Sequence, residues 1–207
     1  MKIGIINGSP KPGESNSGIM IEYISSLIGG QEITIYNVGK VRLTEEQFAE
    51  ISKSYVLIFS FPLYVDSIPS HLLRLLADFE KRIVFNKNTM VYCIVNNGFF
   101  EGKQNCIAID QMKNWCSAVG LRWGQAIGVG AGEMQPFIKD IPLGYGPNKN
   151  IGNALKDMAC NIENFESGND IFISPNWPRF LWRIQATLSV WYPRAKKNGL
   201  KRRELLK

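Results

Sequence analysis

Short apolar runs and stretches with helical spacing alternate along the chain. Lys2-Ile3-Gly4-Ile5-Ile6, Glu32–Val38, Tyr55–Phe61, Met90–Val95 and Ala126–Val129 read as five strands. The near-continuous apolar character of the first and third, without polar alternation, is that of strands covered on both faces. Between them Ile19, Met20, Tyr23, Ile24 and Leu27 recur at helical spacing, and Thr44 followed by Glu45, Glu46 and Gln47 looks like a capped helix start. Residues Leu72 to Arg82, Ile107 to Val119 and the series Ala154, Leu155, Met158, Ile162, Phe165 predict three further helices. Strands alternating with helices predict a parallel sheet with helices on both faces and right-handed crossovers. No repeat or low-complexity linker interrupts this order, so residues 1–169 read as one domain and residues 170–207 as an extension.

In such a sheet ligands sit beyond the carboxyl ends of the strands, where the winding direction switches. The loop after each strand is therefore informative. The first strand runs into Asn7-Gly8-Ser9-Pro10-Lys11-Pro12-Gly13 and then Ser15-Asn16-Ser17, just before a helix. A strand, a hydroxyl-rich turn and a helix start together make an anion site, with Lys11 as an added positive charge. The third strand runs into Pro62-Leu63-Tyr64-Val65-Asp66-Ser67-Ile68-Pro69, stiffened by prolines and carrying an aromatic. The fourth runs into Asn96-Asn97-Gly98-Phe99-Phe100-Glu101-Gly102, which joins amides to two aromatics. A phosphate grip beside two apolar, amide-bearing loops suits a phosphorylated planar cofactor.

Composition narrows the chemistry. The 207 residues are 45% hydrophobic and 20% charged, an ordinary globular balance. No apolar run approaches the ~20 residues that span a bilayer, and the chain opens on a strand rather than a basic and apolar leader, so a cytoplasmic location is expected. Cys93, Cys106, Cys116 and Cys160 show no CxxC spacing, which predicts reduced thiols and no metal or cluster site. The sole histidine, His71, stands at a helix start and is expected to be structural or solvent-facing, so no Ser-His triad and no His-based metal site is expected. Gly128-Val129-Gly130-Ala131-Gly132 is glycine-rich but lacks GxGxxG spacing.

The three loop segments GSPKPGESNSG, FPLYVDSIPSHLLRLLADFE and NNGFFEG resemble, in order and spacing, those of the flavodoxin-like NAD(P)H-dependent FMN reductases, over roughly residues 1 to 165. That resemblance implies an α/β flavodoxin-like three-layer sandwich, its five-stranded parallel sheet ordered 2-1-3-4-5. It implies non-covalent FMN, with Ser9, Ser15, Asn16 and Ser17 on the phosphate. Pro62, Leu63, Tyr64 and Val65 would lie along the isoalloxazine, and Asn96, Gly98 and Phe99, beside Asn97, would complete the ring's edge. Ser17 stands where a threonine is common, and the cysteine cluster of the iron–sulfur branch is missing. The implied activity is hydride transfer from NADH or NADPH to the flavin and onward to a small acceptor such as a flavin or quinone, with positioning residues and no catalytic side chain. A flavodoxin-like electron carrier and a non-enzymatic flavin-binding module are the alternatives.

The net charge of +6 belongs to the end of the chain. Residues 170–207 hold nine Lys or Arg against Asp170 and Glu204, leaving 15 basic and 16 acidic residues before them. Three of the five tryptophans, Trp177, Trp182 and Trp191, also fall here. Pro178 suits a helix start, Phe180, Ile184, Leu188 and Trp191 share one face, and Pro193 is expected to end that helix. The expected role of this helix is packing on its own domain or on a partner in a homodimer. Contact with an anionic membrane surface is the second reading, and no nucleic-acid-binding module is present.

Overall fold

The apolar runs become the strands of one sheet because each alternate residue finds a helical layer to pack against. In the computed structural model the strands are β1 (Lys2–Asn7), β2 (Glu32–Asn37), β3 (Val56–Pro62), β4 (Met90–Asn96), β5 (Arg122–Val129) and β6 (Ile171–Ile173). All pair in parallel, in the order β2-β1-β3-β4-β5-β6. The structure describes every residue except Pro12, Lys40, Val41, Arg202, Arg203 and 205–207; the expectations that rest on Pro12 and on Arg202, Arg203 and Lys207 lie outside the described residues.

The expected five-stranded sheet is thus corrected to six. Ile171–Ile173, expected in the extension, is an edge strand on β5 through Ile127↔Ile171, Gly128↔Phe172 and Val129↔Ile173. Three residues are too few to show a period, which is why the pattern of the sequence does not reveal this strand.

Helices α1 (Asn16–Leu27) and α6 (Lys149–Asn164), the latter preceded in the chain by the short α5 (Gln135–Ile138), cover one face, where Ile3, Ile5, Ile58, Tyr92 and Ile94 meet Met20, Ile24, Leu155 and Met158. Helices α2 (Glu45–Ile51), α3 (Ser70–Arg82) and α4 (Cys106–Val119) cover the other, where Phe59, Phe61 and Val95 meet Leu72, Phe79, Ile109 and Trp115. The expected cap of α2 is present: Thr44 Oγ1 accepts from the Gln47 amide and the Gln47 side chain accepts from the Thr44 amide, at 3.3 and 3.0 Å.

The chain divides into two units, Met1–Pro175 and Asn176–Lys207. The second holds α7 (Arg179–Ala186), a π-helical turn at Thr187–Trp191 and α8 (Tyr192–Lys197). Pro193 does not end the helix as expected; it lies in the first turn of α8. A proline is tolerated there because the preceding wide turn has already broken the ordinary hydrogen-bond ladder. Among the described residues no helix is long and apolar enough to cross a membrane.

Candidate functional site

The carboxyl ends of β1, β3 and β4 are neighbours in the sheet, so the three loops singled out by the sequence meet along one edge. After β1, Asn7 organises the turn: its Oδ1 accepts from the Ser9 amide at 3.2 Å and its Nδ2 donates to Asn37 Oδ1 at 2.8 Å. Ser9 Oγ accepts from the Lys11 amide at 3.3 Å. Gly8 is required by packing, because a Cβ there would lie 2.8 Å from Leu72 and 2.9 Å from Phe61. Ser15 caps α1 by accepting from the Gly18 amide at 3.1 Å, and its carbonyl takes the Ile19 amide. Among the described residues this leaves the Asn16 and Ser17 amides without protein acceptors, at the positive end of the helix.

The rim of this turn is held by a contact the sequence does not reveal. Lys139 Nζ meets Glu14 Oε1 at 2.7 Å, tying the first loop to the segment after β5. The hydrogen bond and the opposite charge of Lys139 lower the Glu14 carboxyl below its ordinary value, and the same pair raises Lys139.

Ser17 lies at the centre. Its hydroxyl accepts from Asn96 Nδ2 at 3.0 Å, and its carbonyl accepts from Ser60 Oγ at 3.0 Å. Asn96 also donates to the Phe61 carbonyl at 3.2 Å, and its own carbonyl takes the Leu63 amide at 2.7 Å. One buried asparagine on β4 therefore links the first helix, the end of β3 and the loop after it.

That second loop begins at Pro62, opposite Asn96 in the sheet register, and closes as a tight turn in which Tyr64 and Ser67 exchange backbone hydrogen bonds at 3.0 and 3.1 Å. Its central residues, Val65 and Asp66, both have positive φ, +50° and +56°. For a β-branched residue that conformation is strained. Gln111 on α4 braces the turn, its Oε1 accepting from Ser67 Oγ at 3.0 Å and from the Ile68 amide at 3.3 Å. Tyr64 is half exposed and Val65, at 99%, fully so.

In the third loop Asn97 is buried. Its amide donates to the Val129 carbonyl at 3.0 Å and its Nδ2 to the Glu101 carbonyl at 3.2 Å, while its Oδ1 has no partner. Gly98 is open around the missing Cβ and Phe99 is 55% exposed. The glycine-rich stretch after β5 serves this loop: a Cβ on Gly130 would collide with the Phe100 carbonyl oxygen, and one on Gly132 would lie 3.0 Å from that of Asn97. Two further features of that stretch have no sequence signal: Ala131 at φ +50°, and buried Gln135, whose Oε1 lacks a partner. His71, expected to be structural or solvent-facing, hydrogen-bonds the Gly8 carbonyl through Nε2 at 3.0 Å.

No protein-family model matches this chain, and no curated protein matches it by sequence. Solved structures do resemble it. An NADH:FMN oxidoreductase in its apo form is 12% identical with a TM-score of 0.59, over 81% of this chain and 90% of that one. The flavodoxin of Streptococcus pneumonia TIGR4 is 12% identical with a TM-score of 0.55, over 80% and 99%. An FMN-dependent NADH-azoreductase from Bacillus anthracis str. Ames Ancestor, in complex with FMN, is 15% identical with a TM-score of 0.53, over 78% and 99%. At the level of structure this chain has the flavodoxin-like fold of these solved structures.

Proposed function

We propose that the protein is an FMN-dependent oxidoreductase that takes a hydride from NADH or NADPH and passes electrons to a small acceptor. The observation that carries this reading is the Asn96–Ser17 clamp, which gathers an anion seat and two amide-bearing loops at one sheet edge. The residues present fit the cofactor. The free amides of Asn16 and Ser17, with the hydroxyls of Ser9 and Ser15 and the nearby Lys11, would hold its phosphate. Pro62, Leu63, Tyr64 and Val65 would support the ring, and Asn96, Asn97, Gly98 and Phe99 would form its edge. The unpartnered Asn97 Oδ1 supplies an acceptor for a ring N–H.

When bound, the flavin supplies the hydride and electron chemistry. The chain's own part is to bind, orient and shield. The strained turn at Val65 and Asp66, braced by Gln111, presents Tyr64 and the Leu63 backbone in a fixed position. Gly130 and Gly132, just after β5, let the third loop lie close against the sheet end. No side chain is required as an acid or base.

Dimerisation belongs to the same reading. Phe180, Ile184, Leu188 and Trp191 form one exposed apolar face on the second unit, suited to a second copy of the chain. Light scattering of the wild type and of Ile184→Glu tests this: a dimer converted to a monomer is the expected result, and two identical masses refute it.

The main test is the visible spectrum of the purified protein after incubation with FMN and desalting, followed by anaerobic NADH and then NADPH. Retained yellow colour that bleaches is expected. Colour that is retained but bleaches only through an added reductase assigns an electron carrier instead, and a colourless protein overturns the FMN site.

A further inference from the structure

A second concavity lies beside the first loop, on the α2 and α3 side of the sheet. It has a volume of about 300 Å³, and its walls include Gly39, Arg42, His71, Arg74, Asp78 and Arg82. It adjoins the proposed cofactor seat through two contacts. His71, on its wall, hydrogen-bonds the Gly8 carbonyl at 3.0 Å. Gly39 lies so close to the first loop that a Cβ there would collide with the Ser9 carbonyl oxygen.

The charges in this cleft are unevenly matched. Arg82 is engaged: it pairs with Glu45 and stacks over the Phe48 ring, 3.9 Å from its centroid. Among the described residues Arg42 and Arg74 have no ion-pair partner within 4.0 Å, although Asp78 lines the same cleft. With Arg82 taken by Glu45, two guanidiniums share the cleft with one carboxylate, and they come from different elements, the β2–α2 loop and α3. Two guanidinium groups lining one cleft suit a tetrahedral oxyanion, which offers an oxygen edge to each.

We propose that this cleft is an anion subsite in which Arg42 and Arg74 hold a phosphate group next to the flavin seat. The ligand is either free phosphate or the phosphate of a bound nucleotide, of which the 2′-phosphate of a pyridine dinucleotide is the one that would set donor choice. Only that last identification rests on the proposed oxidoreductase function. Asp78 opposes the anion and tunes its affinity downward.

Titration of the full-length protein with inorganic phosphate, followed by calorimetry, tests the subsite in wild type, Arg42→Ala, Arg74→Ala and Asp78→Asn. Each arginine variant is expected to weaken one binding event by roughly tenfold, the loss of a charge-assisted hydrogen bond, and Asp78→Asn to strengthen it. Both arginines are exposed, and circular dichroism verifies that the variants fold. Competition then separates the sources: displacement by 2′,5′-ADP but not by 5′-AMP assigns the 2′-phosphate, and displacement by neither assigns free phosphate. FMN retention after desalting is measured on the same samples. Loss of flavin in wild type with phosphate binding still sensitive to Arg42 and Arg74 would refute the cofactor reading and leave the subsite standing. Phosphate affinity that is absent in wild type, or equal in all four proteins, overturns the subsite.

Discussion

Asn96 Nδ2 donates to Ser17 Oγ at 3.0 Å, joining the last residue of β4 to the first turn of α1. The same amide group reaches the Phe61 carbonyl, so three elements that bear the candidate site meet on one side chain. Both residues are almost wholly buried, where an orphaned hydrogen-bonding group costs about 1–3 kcal/mol.

Replacing Asn96 by Leu removes the donor and leaves Ser17 Oγ and the Phe61 carbonyl without it. The expected loss is about 2 kcal/mol, which for a chain of this size lowers the melting temperature by roughly 4–8 °C. FMN affinity is expected to fall with it, because the loops proposed to hold the cofactor phosphate and the ring edge are no longer held together. Ser17→Ala tests the same link from the other end, with a smaller thermal loss. A thermal scan and a fluorescence titration with FMN check both, and unchanged values in both variants refute the clamp.

The strained turn gives a prediction of opposite sign. Val65 at φ +50° carries a conformational cost of about 1–3 kcal/mol, and glycine removes it while adding about 0.5–1 kcal/mol of chain entropy to the unfolded state. Val65→Gly is therefore expected to stabilise the protein by about 1 kcal/mol, a rise of roughly 2–4 °C in melting temperature. The same change lets the turn relax, so FMN is expected to dissociate faster. A lower melting temperature would show that the Val65 side chain contributes more than its backbone strain costs.

The balance between what the sequence discloses and what it hides lies in the physics of each element. Buried strands such as Val56–Pro62 are legible because burial on both faces demands an unbroken apolar run. Thr44 with Gln47 as the start of α2 is legible because a cap acts within four residues. Long-range pairs are not. Nothing local marks Asn96 as the partner of Ser17, Lys139 as the partner of Glu14, or Gln111 as the brace of Ser67. The edge strand Ile171–Ile173 is hidden by its length, and the passage of the tail helix through Pro193 by a π turn that no residue pattern announces. Of the candidate site, the loops and their residue types are readable, and the hydrogen bonds that assemble them are not.

The Glu14–Lys139 pair carries a prediction about charge at the anion seat. Lys139→Ala leaves the Glu14 carboxylate unbalanced close to the residues proposed for the cofactor phosphate, so FMN affinity is expected to fall severalfold, most at low salt. Glu14→Gln is expected to leave affinity equal or improved, and the double variant to resemble Glu14→Gln. The shifts set the sign in pH. The carboxyl is held below its ordinary value of 4.5, so the pair's contribution is present above that value and lost as pH falls through the lowered one. The ammonium is held above its ordinary 10.5, so the contribution is also lost as pH rises through the raised value. FMN affinity of the wild type measured at neutral pH should therefore show no titration of this pair. Equal FMN affinity in wild type and Lys139→Ala would remove the pair from the seat.

Alkaline pH tests the core beneath the site. Burial pushes the Cys116 thiol up from 9.0 to about 12 and raises neighbouring Cys93 in the same direction. Tyr36 is pushed from 10.0 to about 12, first by burial and then by its hydrogen bond to the Glu50 carboxylate at 3.2 Å. In each case the folded chain keeps a proton that the unfolded chain gives up at its ordinary value. These contributions are therefore complete below about pH 9, and are lost as pH rises from there through about 12. For Cys116 the slope approaches about 1.4 kcal/mol per pH unit within that window. Thermal unfolding with excess reductant, measured from pH 7 to 10.5, is expected to show a flat region followed by a steep fall. Cys116→Ala lowers stability at neutral pH through the small cavity it leaves, but it is expected to flatten the alkaline fall, so the two curves converge as pH rises. Parallel curves for wild type and Cys116→Ala would show that the buried thiol does not set the alkaline limit of this fold.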